Sequence, residues 1–115
     1  MSGRDERLAD ERLAAAIRAI HANPAHSWTM AELAKAAALS RSSFFVRFRE
    51  AVGVAPMVYL LTWRMALAKN LLRGKSMAVA EVAERVGYRS ASAFSVAFSR
   101  YVGQPLAWYA AEEDV

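Results

Sequence analysis

Leu8, Leu13, Ile17 and Ile20 recur at helical spacing ahead of Asn23-Pro24, where the residue before a proline is pushed out of helical geometry. A first helix is therefore expected over about 8–22. No stretch of the chain alternates apolar and polar positions between turn signals, so strands are not expected. Thr29-x-x-Glu32 has the form of a capping box, in which hydroxyl and carboxylate each satisfy an orphan backbone N–H; a second helix should run over 30–37. Ser40 is a natural N-cap for a third helix with Phe44 and Phe48 on its inner face. Gly53 suits the left-handed C′ position that ends it, and Pro56 suits the first turn of the next. From Met57 to Arg73 nothing interrupts the helical pattern, and Gly74 follows. That segment predicts a linker helix about 26 Å long at 1.5 Å per residue. Beyond it, a fifth helix begins near Ala78, without the threonine cap of the second. Ser90 caps a sixth helix that carries Phe94 and Phe98 and ends at Gly103, and Pro105 opens a last one. The expected fold is all-α, with about seven helices in two helix-turn-helix subdomains joined by a long linker helix. The boundaries are 1–56 for the first subdomain with its N-terminal helix, 57–74 for the linker, and 75–115 for the second subdomain.

The pattern is duplicated. Ala31-Glu32-Leu33-Ala34 returns 49 residues later as Ala80-Glu81-Val82-Ala83. Phe44-x-Val46-x-Phe48 with Val52-Gly53 returns 50 residues later as Phe94-x-Val96-x-Phe98 with Val102-Gly103. Each copy reads as a short helix, a tight turn (Ala38-Leu39 or Gly87-Tyr88) and a second helix opened by a serine. That is the plan of a unit whose second helix enters the DNA major groove.

Composition narrows the possibilities. A hydrophobic content of 56% supports a packed core, and the absence of cysteine excludes disulfides, thiol catalysis and Cys-based zinc sites. Arg4, Asp5, Glu6 and Arg7 precede any apolar stretch, so no signal peptide is read at the start, and no apolar run approaches the length of a membrane span. A soluble, cytoplasmic, nucleoid-associated protein without membrane contact is expected. Net charge is +4, but its distribution says more. Between Lys35 and Arg100 there are eleven basic residues against three acidic ones, Glu50, Glu81 and Glu84, while Glu112, Glu113 and Asp114 make an acidic tail. The duplicated region is thus the basic region, as a polyanion-binding surface requires, although a solvated arginine-rich helix surface would show the same excess.

Advancing 100° per residue from Phe44 and Phe48 turns Ser42 and Val46 away from the core, with Arg49 and Glu50 flanking. On the sixth helix the same step turns Ser92 and Val96 outward beside Ser99, Arg89 and Arg100. The candidate DNA contacts are Arg41, Ser42, Ser43, Val46, Arg47 and Arg49 in the first copy. In the second they are Arg89, Ser90, Ser92, Ser95, Val96 and Arg100. Arg41 is placed for a base edge or a phosphate, and Arg47, toward the rim of the core face, for a phosphate or an ion pair. The phenylalanine stripes read as core, and Trp28, Trp63 and Trp108 as packing residues with one polar edge. His21 and His26 lie five residues apart across a helix end, which does not make a metal site. Glu81-x-x-Glu84 reads as a solvated helix edge. No catalytic, metal or cofactor constellation is present, so no enzyme is expected.

Over about Trp28 to Tyr109 the chain resembles the DNA-binding domain of AraC/XylS-type bacterial transcription regulators. The resemblance rests on MAELAKAAALSRSSFFVRFREAVGVAPMVYL, the linker string WRMALAKNLL, and VAEVAERVGYRSASAFSVAFSRYVGQP. It implies two subdomains on a rigid helix, each placing a recognition helix in one of two successive major grooves. The linker most resembles members that carry a cupin-type sensor domain N-terminal to this unit. No such domain is in the chain, which reads either as a short regulator or as an excised domain whose effector belongs to a longer parent protein. Two departures stand out. Many members carry arginine where this chain has Val46 and Val96, and a valine meets a thymine methyl but makes no bidentate bond to guanine. The family's Gly-x-x-Pro is kept at Gly53 and Pro56 but shortened to Gly103-x-Pro105. The function expected is sequence-specific binding of double-stranded DNA by a monomer, with RNA polymerase a further candidate partner. The alternative is a helical interaction module, or a nonspecific DNA binder, that keeps the fold without base readout; the two valines favour it.

Overall fold

The computed structural model describes residues 3–74 and 77–103. Six helices follow one another: α1 Gly3–Ala22, α2 Met30–Ala36, α3 Arg41–Val52, α4 Pro56–Gly74, α5 Val79–Arg85 and α6 Ala91–Val102. There is no strand among the described residues. The helix expected after Pro105, with Trp108, lies outside them.

The chain divides into two compact units, Met1–Leu60 and Leu61–Val115, so the first turn of α4 belongs to one and the remainder to the other. In the first unit α1, α2 and α3 pack pairwise on one another. Their shared core is Leu13, Ala16 and Ile20 from α1, Leu33, Ala34 and Ala37 around α2, Phe44 and Phe48 from α3, and Leu60. In the second unit Met65, Ala68 and Leu72 of α4 join Val82, Ala83, Val86, Phe94 and Phe98 in one buried cluster. Each pair of phenylalanines is fully buried, and withdrawing a ring of that size from water contributes on the order of 1.5–3 kcal/mol. The rings therefore fix the azimuth of α3 and α6, and with it the side each helix shows to solvent.

Two expectations need correction. α1 starts at Gly3 and not near Leu8, because an apolar stripe marks where a helix is buried, not where it begins, and Arg4-Asp5-Glu6-Arg7 contains no helix breaker. The buried line of α1 runs through Leu13, Ala16 and Ile20, while Ile17 is half-buried. The small Ala16 occupies the close-packed line where α1 meets its neighbours, a position that side-chain size alone does not reveal.

Candidate nucleic-acid interface

Each recognition helix is held by a short set of local devices, nearly the same in both copies. In the first, the Thr29 hydroxyl accepts from the Glu32 N–H at 3.1 Å and a Glu32 carboxylate oxygen accepts from the Thr29 N–H at 3.0 Å. This closes the capping box on α2. The other Glu32 oxygen is 2.7 Å from Nε2 of His26. That hydrogen bond, and next the one from the Thr29 backbone, hold the Glu32 carboxyl below its ordinary range. Trp28 adds its indole N–H to the Asn23 carbonyl at 2.9 Å. In the second copy Ala78 stands at the N-cap of α5 and supplies no side-chain bond.

The turns match closely. Ala38 adopts a φ of 55° and Gly87 one of 92°, which lets the chain double back. The Leu39 N–H then bonds the Ala34 carbonyl at 3.0 Å, and the Tyr88 N–H bonds that of Ala83 at 2.8 Å. Ser40 then caps α3 by accepting from the Ser43 N–H, and Ser90 caps α6 by accepting from the Ala93 N–H. The second turn is one residue longer than the first, and the residue added before the cap is Arg89. Inside, Phe44 and Phe48 lie 5.5 Å apart between ring centroids, and Phe94 and Phe98 5.7 Å apart. Tyr59, on the first turn of α4, meets Phe48 edge-on at 5.7 Å and shares a hydrogen bond of 2.7 Å with His21. Burial raises the Tyr59 pKa. In the second unit Arg64 and Tyr88 are both half-buried. Desolvation pushes the Arg64 pKa down and the Tyr88 pKa up, and their proximity opposes both shifts. Arg64 is thus a basic residue turned partly inward.

The remaining arginines of the recognition region face water. Arg41, Ser42, Ser43, Arg47 and Arg49 are all exposed on the first unit, and Arg89, Ser90, Ser92 and Arg100 on the second, whereas Ser95 is half-buried. Among the described residues no carboxylate forms an ion pair with Arg41, Arg47, Arg49, Arg89 or Arg100. Val46 and Val96, each opposite its buried rings, are 52% and 61% exposed. Phe45 was not among the sequence candidates, yet it is 38% exposed on the same helix. Helical arithmetic puts it about 80° from the centre of the core face, a bearing that periodicity leaves undecided. Its counterpart in the second copy is Ser95. The two outward faces therefore differ. α3 shows three arginines, a phenylalanine, a valine and Glu50, whereas α6 shows serines, Val96 and Arg100. Among the described residues no group of three His, Asp or Glu side chains is placed to hold a metal ion, and no single helix is long and apolar enough to cross a membrane.

Residues 33–111 match a family profile described as a helix-turn-helix domain. The chain is 51% identical over 96 residues to a protein of Streptomyces antibioticus that carries the description AraC-like transcription regulator. It is 39% identical over 97 residues to the HTH-type transcriptional regulator AlkR of Acinetobacter baylyi. Each alignment takes in 84% of this chain and 32% of the relative, so the chain spans about a third of the length of these relatives. Among solved structures, the DNA-binding domain of AdpA, a global transcriptional factor crystallised in complex with a target DNA, superposes with a TM-score of 0.80 at 35% identity. That alignment covers 88% of this chain and 91% of that one. A DNA-binding transcriptional dual regulator of Escherichia coli K-12 gives the same TM-score at 27% identity, over 90% of this chain and 92% of its own. With a helix-turn-helix present twice and a serine capping the second helix of each copy, the chain belongs to the AraC-type helix-turn-helix family of transcription regulators.

Proposed function

We propose that the protein binds double-stranded DNA sequence-specifically and regulates transcription, acting as a monomer whose α3 and α6 enter two successive major grooves. The observation that carries this reading is the repetition of one helix-turn-helix plan, each copy turning the face opposite its buried phenylalanines to water. In each unit a serine-capped helix buries two phenylalanines and shows water its serines and a central valine, and the exposed arginines on and beside it form no ion pair with a carboxylate among the described residues. Arg41, Arg47, Arg49, Arg89 and Arg100 supply phosphate contacts, which position the protein without carrying sequence information. Ser42, Ser43, Ser92 and Ser95 offer hydroxyls toward the groove. Ser90 accepts from Ala93 as a cap, which leaves its own O–H to donate to a phosphate oxygen. Val46 and Val96 present apolar contact to base edges. The reading contains no catalytic step and no cofactor, and it places the protein where bacterial DNA is, in the cytoplasm. Contact with RNA polymerase, and an effector-binding sensor in a longer parent protein, complete it.

The test is selection of binding sites from random double-stranded DNA, followed by insertion of about five base pairs between the two half-sites, which turns one of them to the opposite face of the duplex. Recovery of a bipartite motif whose affinity collapses on insertion is expected. Enrichment of no sequence would instead support a module without base readout.

A further inference from the structure

Phe45 is the odd residue on α3. Phe44 and Phe48 beside it are fully buried, as are the two phenylalanines of α6, whereas Phe45 keeps 38% of its surface in water. The second copy carries Ser95 at the same register, so the helix-turn-helix unit does not need an aromatic ring there. At 100° per residue, Arg41 and Arg49, four residues before and after Phe45, fall on the same stripe of the helix. Val46 adjoins that stripe at the crown of the outward face. An apolar pair is therefore framed by two arginines, and neither recognition helix offers an outward asparagine or glutamine for adenine.

That arrangement suits one chemical feature of the major groove. The C5-methyl of thymine is the apolar group among the base edges there, and it stands at the side of the groove near the sugar-phosphate backbone of its own strand. A helix whose arginines grip phosphates on one flank brings the side chain between them to that place. 5-Methylcytosine carries the same methyl at the same position, whereas cytosine and uracil carry hydrogen.

Building on the DNA-reading function above, we propose that α3 recognises two neighbouring pyrimidine C5-methyl groups through Phe45 and Val46, while α6 recognises one through Val96. Binding then depends on base methylation as such. Thymine and 5-methylcytosine are accepted at these positions, and uracil and cytosine are disfavoured.

The experiment uses the full chain and duplexes recovered by selection, with deoxyuridine replacing thymidine one position at a time, so that the protein itself is left untouched. Each methyl removed from a contact should weaken binding about fourfold, the worth of one buried carbon. Two such positions are expected under α3 and one under α6. Placing 5-methylcytosine there should restore most of what cytosine loses. Phe45→Ser, which installs the side chain of the second copy, and Val46→Ala should each erase the uracil effect at one α3 position; both sites are exposed, and thermal melts confirm that the variants fold. Tight, sequence-selective binding that is indifferent to every uracil overturns the methyl inference and leaves the DNA-reading function standing. Uracil sensitivity that stays unchanged at both α3 positions in both variants overturns the inference too. Failure to enrich any sequence overturns the DNA-reading function itself, and the inference with it.

Discussion

Ala38 holds a φ of 55° where the second copy has Gly87 at 92°. A left-handed conformation costs an L-residue roughly 1–2 kcal/mol, and glycine avoids this while giving back about 0.4–1 kcal/mol through its freer unfolded chain. Ala38→Gly should therefore stabilise the first unit by about 0.5–1 kcal/mol, and Gly87→Ala should destabilise the second by a similar amount. Chemical denaturation of the two variants checks both signs, and a loss of stability in Ala38→Gly would refute the turn assignment. Glu32 gives a pH dependence. Its folded pKa lies below the ordinary 4.5, chiefly through the His26 hydrogen bond, so its carboxylate stabilises the fold fully above that value. The contribution disappears as the pH falls through the lowered folded pKa. Glu32→Gln keeps an acceptor for the Thr29 N–H but has no charge to lose. The gap in melting temperature between wild type and this variant should be widest above 4.5 and close on acidification.

At the scale of the helix, α4 is the element on which the bipartite reading depends, because one helix runs unbroken from Pro56 to Gly74. Asn70 lies in its interior and is exposed, so substitution there tests the helix apart from the core. Asn70→Pro removes an intrahelical hydrogen bond and clashes with the preceding turn, at about 3 kcal/mol or more. Asn70→Ala should instead gain a few tenths of a kcal/mol in helix propensity, up to about 0.7. Equal melting of the two variants would count against a continuous helix through this point. In the recognition helices, Phe48→Ala and Phe98→Ala should each cost about 3–5 kcal/mol, because each empties a fully buried site. Loss of binding in those variants reports loss of the fold, which is why the exposed Phe45 and Val46 are the informative sites for base reading.

Across the molecule, charge is uneven. The basic excess is carried between Lys35 and Arg100, and the carboxylates gather toward the two ends of the sequence. Neutralising several phosphates releases their counterions, so log K should fall linearly with log salt, by roughly 0.9 for each phosphate contacted. Arg41→Ala, Arg49→Ala and Arg100→Ala should each flatten that slope by about one unit and weaken all sequences alike. A slope near zero would exclude a phosphate-gripping surface. Val96→Arg should behave differently, shifting preference toward guanine at one position by roughly 1–3 kcal/mol while leaving other positions unchanged.

Features closed within a few residues were legible before any fold was known. The Thr29–Glu32 capping box, the serine caps of α3 and α6, the glycines that end them and the uncapped start at Ala78 all appear where the residue pattern puts them. Each involves groups four or fewer positions apart, so neighbouring side chains and backbone suffice. The inward pairs Phe44–Phe48 and Phe94–Phe98 were legible as well, since a helical period fixes which residues share a face. Positions at the edge of a face were not. Ala16 is buried because α1 packs closely on its neighbours, Ile17 is only partly covered, and Phe45 stays exposed although its composition resembles that of the core. For such residues burial depends on which helix covers them, and that comes from contacts between elements distant in sequence.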